Sequence, residues 1–380
     1  MQTLAKAIFN DRNLSLLPAC LEGGTLPALV VGPGGTGRAG LAAALRLQTG
    51  RPLFVICPDE TAAENFRRDL AVFLEEPCET LFSRDMNFYG AEGVSREDEQ
   101  KRIRTLCALA KGQCPVTVCS VTGLLQRTMQ PEKLAEAAIV IEDGAACPPE
   151  KIEQALLLCG YERTSQVEGP GQFSRRGGIL DFFSPAYENP VRCEFWGDEV
   201  DSMGFFDTDS QRRTEPLSRC EILPSREVLP AMGDSESFLD RLHALEKQVA
   251  RHGNEKLVET IRADAEHYGA THDLRAADRW ADLLYPQFNT AIDFIPPDAI
   301  VFLDKPGRVT ETAAAFFKQH AADLEILVES GMVYGKNARY YLPWELACAR
   351  LADFALVMGD NFTQGRCPVE PKSVVNALSK

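Results

Sequence analysis

Among the 12 cysteines no Cys-x-x-Cys pair occurs, and none of the five histidines stands at finger spacing from a cysteine pair. That absence excludes the common structural zinc sites, and no metal is expected. Cysteines instead fall inside apolar runs such as Phe54-Val55-Ile56-Cys57 and Val116-Thr117-Val118-Cys119. There a thiol serves as a small core side chain, and free thiols in such number fit a reducing, cytoplasmic setting. No stretch approaches ~18 uninterrupted apolar residues, so the sequence offers no membrane span. The N-terminus lacks a basic start followed by an apolar core, so no secretory signal is expected. Positive charge is also scarce. Lys plus Arg is 40 against 55 Asp plus Glu, a net charge of −15. A field of that sign opposes binding to a polyanion. Lysine is missing altogether from Ile152 to Glu246, a stretch that holds nine arginines. Arginine without lysine suits planar, bidentate pairing with carboxylates at a protein interface better than loose charge neutralisation.

What is present fits a chain of two or three domains: 380 residues, 45% of them hydrophobic. Ala28–Val31 and Leu53–Cys57 read as buried strands, with a helix from about Gly37 to Leu47 between them. Thr61-Ala62-Ala63-Glu64 has the spacing of a capping box, and Phe66, Leu70, Phe73 and Leu74 form the buried stripe of the helix it would open. A helix over 96–110 and a strand over 115–121 follow. This alternation predicts a parallel sheet with packed helices. Between Pro131 and Pro230 the pattern changes. After a helix at Pro149–Leu158 come short apolar pieces, Ile179–Phe183 and Val191–Trp196, separated by Gly177-Gly178, Asn189-Pro190 and Gly197-Asp198. That is a small antiparallel, β-rich insertion. Helices return from about Ser235, then a strand at Ala299–Leu303, a helix around Thr310–Val328 and a strand at Phe354–Met358. The expected fold is α/β: a helicase-like parallel sheet with a degenerate P-loop, built from residues 1–130 and 226–380, with residues 131–225 inserted.

Gly32-Pro33-Gly34-Gly35-Thr36-Gly37-Arg38-Ala39 follows a strand and opens a helix, with the length of a phosphate-binding loop. In a working loop the seventh residue is a lysine that reaches the phosphates and the eighth is a hydroxyl that holds magnesium. Here they are Arg38 and Ala39. Alanine cannot ligate a metal, and the broad guanidinium fits a tight loop badly. The glycines Gly32, Gly34 and Gly37 are compatible with adventitious sulfate or phosphate, but not with hydrolysis. The acidic pair expected after a later strand is reduced to Asp304-Lys305. Two defects in the two halves of one nucleotide site point the same way, so no catalytic residue and no functional cofactor site are expected.

Gly160-Tyr161-Glu162-Arg163, Gly171 to Phe183 (GQFSRRGGILDFF), Val191 to Ser202 (VRCEFWGDEVDS) and Phe206 to Arg213 (FDTDSQRR) together resemble the N-terminal module of the bacterial transcription-repair coupling factors. Asp293-Phe294-Ile295-Pro296-Pro297-Asp298 resembles the third part of that module. It is similar to the excinuclease component UvrB but has lost the nucleotide site. The resemblance implies domains 1a, 2 and 1b, with domain 2 recruiting the excinuclease component UvrA through an arginine-rich patch. Carried over by motif, the partner-binding residues are Arg163, Arg176, Phe183, Arg192 and Glu194. It further implies a monomeric adaptor that is itself no enzyme. In the whole proteins of the family, RNA polymerase and DNA are bound by other regions, including a DNA translocase motor. No such region fits after Lys380, so the chain is expected to be one part of a longer protein. The alternative is an active, ATP-dependent, helicase-like repair protein similar to UvrB. UvrB carries an aromatic hairpin, for which the sequence leaves no room between Asn87-Phe88-Tyr89-Gly90 and Arg96.

Overall fold

The computed structural model describes residues 1–90, 96–233, 237–362 and 367–377. The connection between Gly90 and Arg96, on which the expected lack of a hairpin rests, lies outside the described residues. Among the described residues fifteen strands run in chain order as β1 (Ala28–Val31), β2 (Leu53–Cys57), β3 (Glu79–Leu81), β4 (Val116–Ser120), β5 (Ile139–Glu142), β6 (Glu162–Arg163), β7 (Gln172–Arg176), β8 (Ile179–Phe182), β9 (Val191–Trp196), β10 (Glu199–Phe206), β11 (Arg213–Leu217), β12 (Arg219–Ile222), β13 (Ile300–Asp304), β14 (Ala355–Asp360) and β15 (Ser373–Asn376).

Seven of these form a parallel sheet in the order β15-β1-β14-β13-β2-β4-β3. Strands from the first third of the chain and from its last ~80 residues are thus interleaved, joined through surface connections as such sheets require. Every residue of β1, β2, β4 and β13 is buried, as a sheet covered by helices on both faces requires. The pleat divides their side chains. Leu29, Val31, Phe54, Ile56, Val301 and Leu303 enter one core; Ala28, Val30, Leu53, Val55, Ile300 and Phe302 enter the other.

The helix Glu60–Leu74 buries Ala63, Phe66, Leu70, Phe73 and Leu74, as its spacing predicts. Its cap differs from the expectation. Asp59, in extended conformation, accepts the Ala62 N–H at 2.8 Å, and Thr61 lies inside the helix. Starting the helix at Glu60 lets that carboxylate accept hydrogen bonds from the Ser83 N–H and hydroxyl and from the Ser120 hydroxyl. The later long helix spans Pro306–Glu329, a full turn earlier than its apolar pattern suggested, because Pro306 occupies its first position.

A separate six-stranded sheet has the order β11-β10-β9-β8-β7-β6, antiparallel except for the β6–β7 pair. One of its faces carries Phe173, Leu180, Phe182, Val191, Cys193 and Met203 and is covered by Ile152 and Leu156 of the helix Pro149–Leu158. β5 and β12 make a two-stranded antiparallel ribbon beside it.

Where the chain leaves this β-rich part, a buried ionic cluster ties it down. Glu227 accepts from Arg84 Nε at 2.8 Å and from Arg102 Nε at 3.1 Å. Arg84 also reaches Asp278 at 2.6 Å, and the Glu227 N–H donates to Glu99 at 2.8 Å. The Arg102 guanidinium is completed by the Phe82 and Gly123 carbonyls, each at 2.8 Å. Burial works against the Arg84 charge, but Asp278 and Glu227 outweigh it and hold the guanidinium firmly protonated. Three distant parts of the chain meet in this one cluster.

Candidate functional site

The glycine loop joins β1 to the helix Thr36–Thr49 at the C-terminal edge of the parallel sheet, the place where such sheets bind ligands. Gly32 (φ 118°) and Gly35 (φ 51°) adopt backbone that other residues avoid, so these glycines are required by the turn. Gly34 lies between them, and its carbonyl accepts the Gly37 N–H at 2.9 Å. Gly37 and Ala39 are helical, and Ala39 is packed into the core beneath the loop.

Arg38 does not project from the loop. It is buried, and its Nε donates to Asp304 at the end of β13. Its Nη1 donates to the Pro33 carbonyl at 3.0 Å and to the Asn361 side chain just after β14. The guanidinium is therefore held inside the fold beneath the glycine loop, bonded to the Asp304 carboxylate. Burial pushes the Asp304 carboxyl above its ordinary range, and Arg38 pulls it back. Lys305 adopts φ 54° as the residue before the helix Pro306–Glu329, with its N–H bonded to the Gly359 carbonyl. No group of His, Cys, Asp and Glu able to hold a metal occurs among the described residues.

The second sheet has one face covered by its helix and one open. On the open face lie Ser174 and Arg176 of β7, Asp181 and Ile179 of β8, and Arg192, Glu194 and Trp196 of β9, placed there by cross-strand register. One end of the face is closed. Arg192 makes a two-pronged bond to Asp181 at 2.7 and 2.8 Å, donates to the Gln211 carbonyl and lies 4.6 Å over the Phe206 ring. Phe206 packs with Val167 and Phe183, and Phe183 is only 8% exposed. Toward the other end Glu194 pairs weakly with Arg213 at 3.4 Å.

These placements sort the residues expected to meet a partner. Arg176 is exposed, with no ion pair among the described residues. Glu194 lies on the same face. The other three are engaged within the chain. Phe183 is a core ring, because Val167 and Phe206 close over it. Arg192 has its fork filled by Asp181. Arg163 is 59% exposed but bonded to Glu153 of the covering helix at 2.7 Å. Its register opposite Phe173 puts it on the helix side of the sheet, away from Arg176. The arginines thus form no single patch. Sequence reasoning missed Trp196, which is 81% exposed. The signal was there: it continues the alternation of Arg192 and Glu194 to the residue before the Gly197-Asp198 turn.

Comparison with known proteins addresses this sheet directly. Residues 139–228 match the UvrB interaction domain family. Across 319 residues the chain is 27% identical to a transcription-repair-coupling factor of Bacillus subtilis, covering 82% of this chain and 27% of that protein. It is 31% identical over 203 residues to that of Myxococcus xanthus, covering 51% of this chain and 17% of the relative. A Staphylococcus aureus factor matches at 25% identity over 319 residues, 81% of this chain and 27% of its own length. These matches support a UvrB-like module of the transcription-repair-coupling factors. The chain spans about a quarter of the length of the curated relatives it matches. Within the module, the interaction-domain match covers all of β5 to β12, and the glycine loop lies outside it. No helix among the described residues is long and apolar enough to cross a membrane.

Proposed function

We propose that this chain is a non-catalytic adaptor that presents its β-rich part to UvrA, within a factor that couples stalled transcription to nucleotide excision repair. The observation that carries the reading is the match of residues 139–228 to the UvrB interaction domain, over a sheet that leaves one face open. The division into residues 1–130, 131–225 and 226–380 belongs to the same reading. In it the parallel sheet is a degenerate P-loop, helicase-like scaffold. RNA polymerase and DNA are partners of the whole factor rather than of this sheet. Arg38, Ala39 and Lys305 support the absence of catalysis, since the lysine, hydroxyl and second acid of a nucleotide site are all replaced and the replacement at Arg38 is bonded inward.

Two measurements test the proposal. A pull-down with purified UvrA is expected to retain the chain, and failure to retain it contradicts the adaptor role. Calorimetry with Mg-ATP is expected to give no saturable heat. Micromolar, magnesium-dependent binding would overturn the non-catalytic part. Sulfate in the glycine loop would not, since backbone N–H groups alone hold anions.

A further inference from the structure

Trp196 is more exposed than any other large apolar side chain among the described residues. Its place in the pleat explains why. Val191, Cys193 and Phe195 of the same strand point to the core, so Trp196, with Arg192 and Glu194, must point out. The β7–β8 and β9–β10 connections are both two-residue turns whose first residue, Gly177 (φ 61°) or Gly197 (φ 62°), takes the left-handed region. The turns lie side by side, since the Phe195 N–H donates to the Gly178 carbonyl at 2.8 Å. This brings Arg176, Ile179 and Trp196 to one corner of the open face. Arg176 is opposite Ile179 across one strand pair, and Ile179 is opposite Glu194, two residues before Trp196. Ile179 is itself 37% exposed. An indole, an aliphatic side chain and an uncommitted guanidinium on rigid strand ends have the composition of an interface anchor.

We propose that Trp196, beside Ile179 and flanked by Arg176, is the central anchor of the docking face, and that the surface it meets on UvrA is an apolar recess with a carboxylate on its rim. This rests on the adaptor reading above for the partner's identity. The chemistry of the recess follows from this corner alone. An indole buries about 150–250 Å² on docking and loses little rotamer freedom, while Arg176 has no acid of its own to release. The energetic centre thereby moves from the Arg163 edge, where the guanidinium is held by Glu153, to the turn end of β9.

The test is a titration of UvrA with the whole chain and its Trp196→Ala, Arg176→Ala, Arg176→Lys and Arg163→Ala variants, with thermal melts alongside. Trp196→Ala is expected to weaken binding about 30-fold or more, as truncation of an interface hot spot does. Arg176→Ala should lose about tenfold, with Arg176→Lys recovering only part of it, because an ammonium lacks the planar fork. Arg163→Ala should bind within about twofold of wild type, as solvent-exposed ion pairs contribute little. All melts should coincide, because the altered side chains lie on the surface. Wild-type binding together with undiminished binding by Trp196→Ala overturns the anchor and leaves the adaptor reading standing. Absence of wild-type binding overturns the adaptor reading itself.

Discussion

Arg38 shows how a single forked cation can bind together the end of a parallel sheet from within. At the start of the helix Thr36–Thr49 its guanidinium turns inward and bonds to Asp304, Pro33 and Asn361. Removing it leaves a carboxylate buried and unpaired. Arg38→Met is therefore expected to cost about 3–5 kcal/mol in urea unfolding, and Arg38→Met/Asp304→Leu to recover most of that loss. The pH dependence has a definite sign. Asp304 already titrates above the ordinary carboxylate range through burial, and without Arg38 it rises further. A carboxyl whose folded pKa exceeds its unfolded value loses the fold stability as pH rises between the two. The deficit of Arg38→Met relative to wild type should thus widen with rising pH only once the pH passes the raised value of Asp304 in the wild type, above the ordinary carboxylate range, and a pH-independent deficit would contradict this account. The sequence marks Arg38 only by its departure from the phosphate-loop pattern. Its inward partnership was not legible there, because Asp304 and Asn361 lie 266 and 323 residues away in the chain and meet it only through the sheet order.

At the scale of elements, β1, β2, β4, β13 and β14 were readable because strands buried on both faces are continuous apolar runs, whereas β3 and β15, short and only partly buried, carry no such run and were not. Nor was the helix start at Glu60. Asp59 and Thr61 both offer a cap, and the choice is made by Ser83 and Ser120, which need the Glu60 carboxylate. The fates of Phe183 and Arg192 depended on Phe206, Val167 and Asp181, contacts fixed by strand register rather than by local pattern. The largest feature hidden from the sequence was the junction cluster. Arg84, Arg102, Glu99, Glu227 and Asp278 look like scattered surface charges until the fold buries them together. Glu227→Gln keeps the shape but removes the charge between two buried guanidinium groups. It is expected to destabilise by about 3–5 kcal/mol, read by chemical denaturation. A loss below about 0.5 kcal/mol would mean that the cluster is solvated and contributes no clamp.

At the scale of the whole molecule, the charge of −15 and the placement of its arginines work together. In the β-rich part Arg163, Arg175, Arg192 and Arg213 are already paired with acids of this chain, so they offer no continuous basic track for phosphate. A gel shift with undamaged duplex DNA at ~150 mM salt, where weak phosphate contacts are largely screened, is expected to give no complex at low micromolar protein. The affinity of this chain should therefore be for a protein surface. The most direct test of that claim is a titration of fluorescently labelled chain with purified UvrA, repeated with excess UvrB as competitor. Saturable binding that UvrB displaces is expected, since both would use the same kind of domain on the same partner. No binding, or binding that excess UvrB leaves untouched, would contradict it.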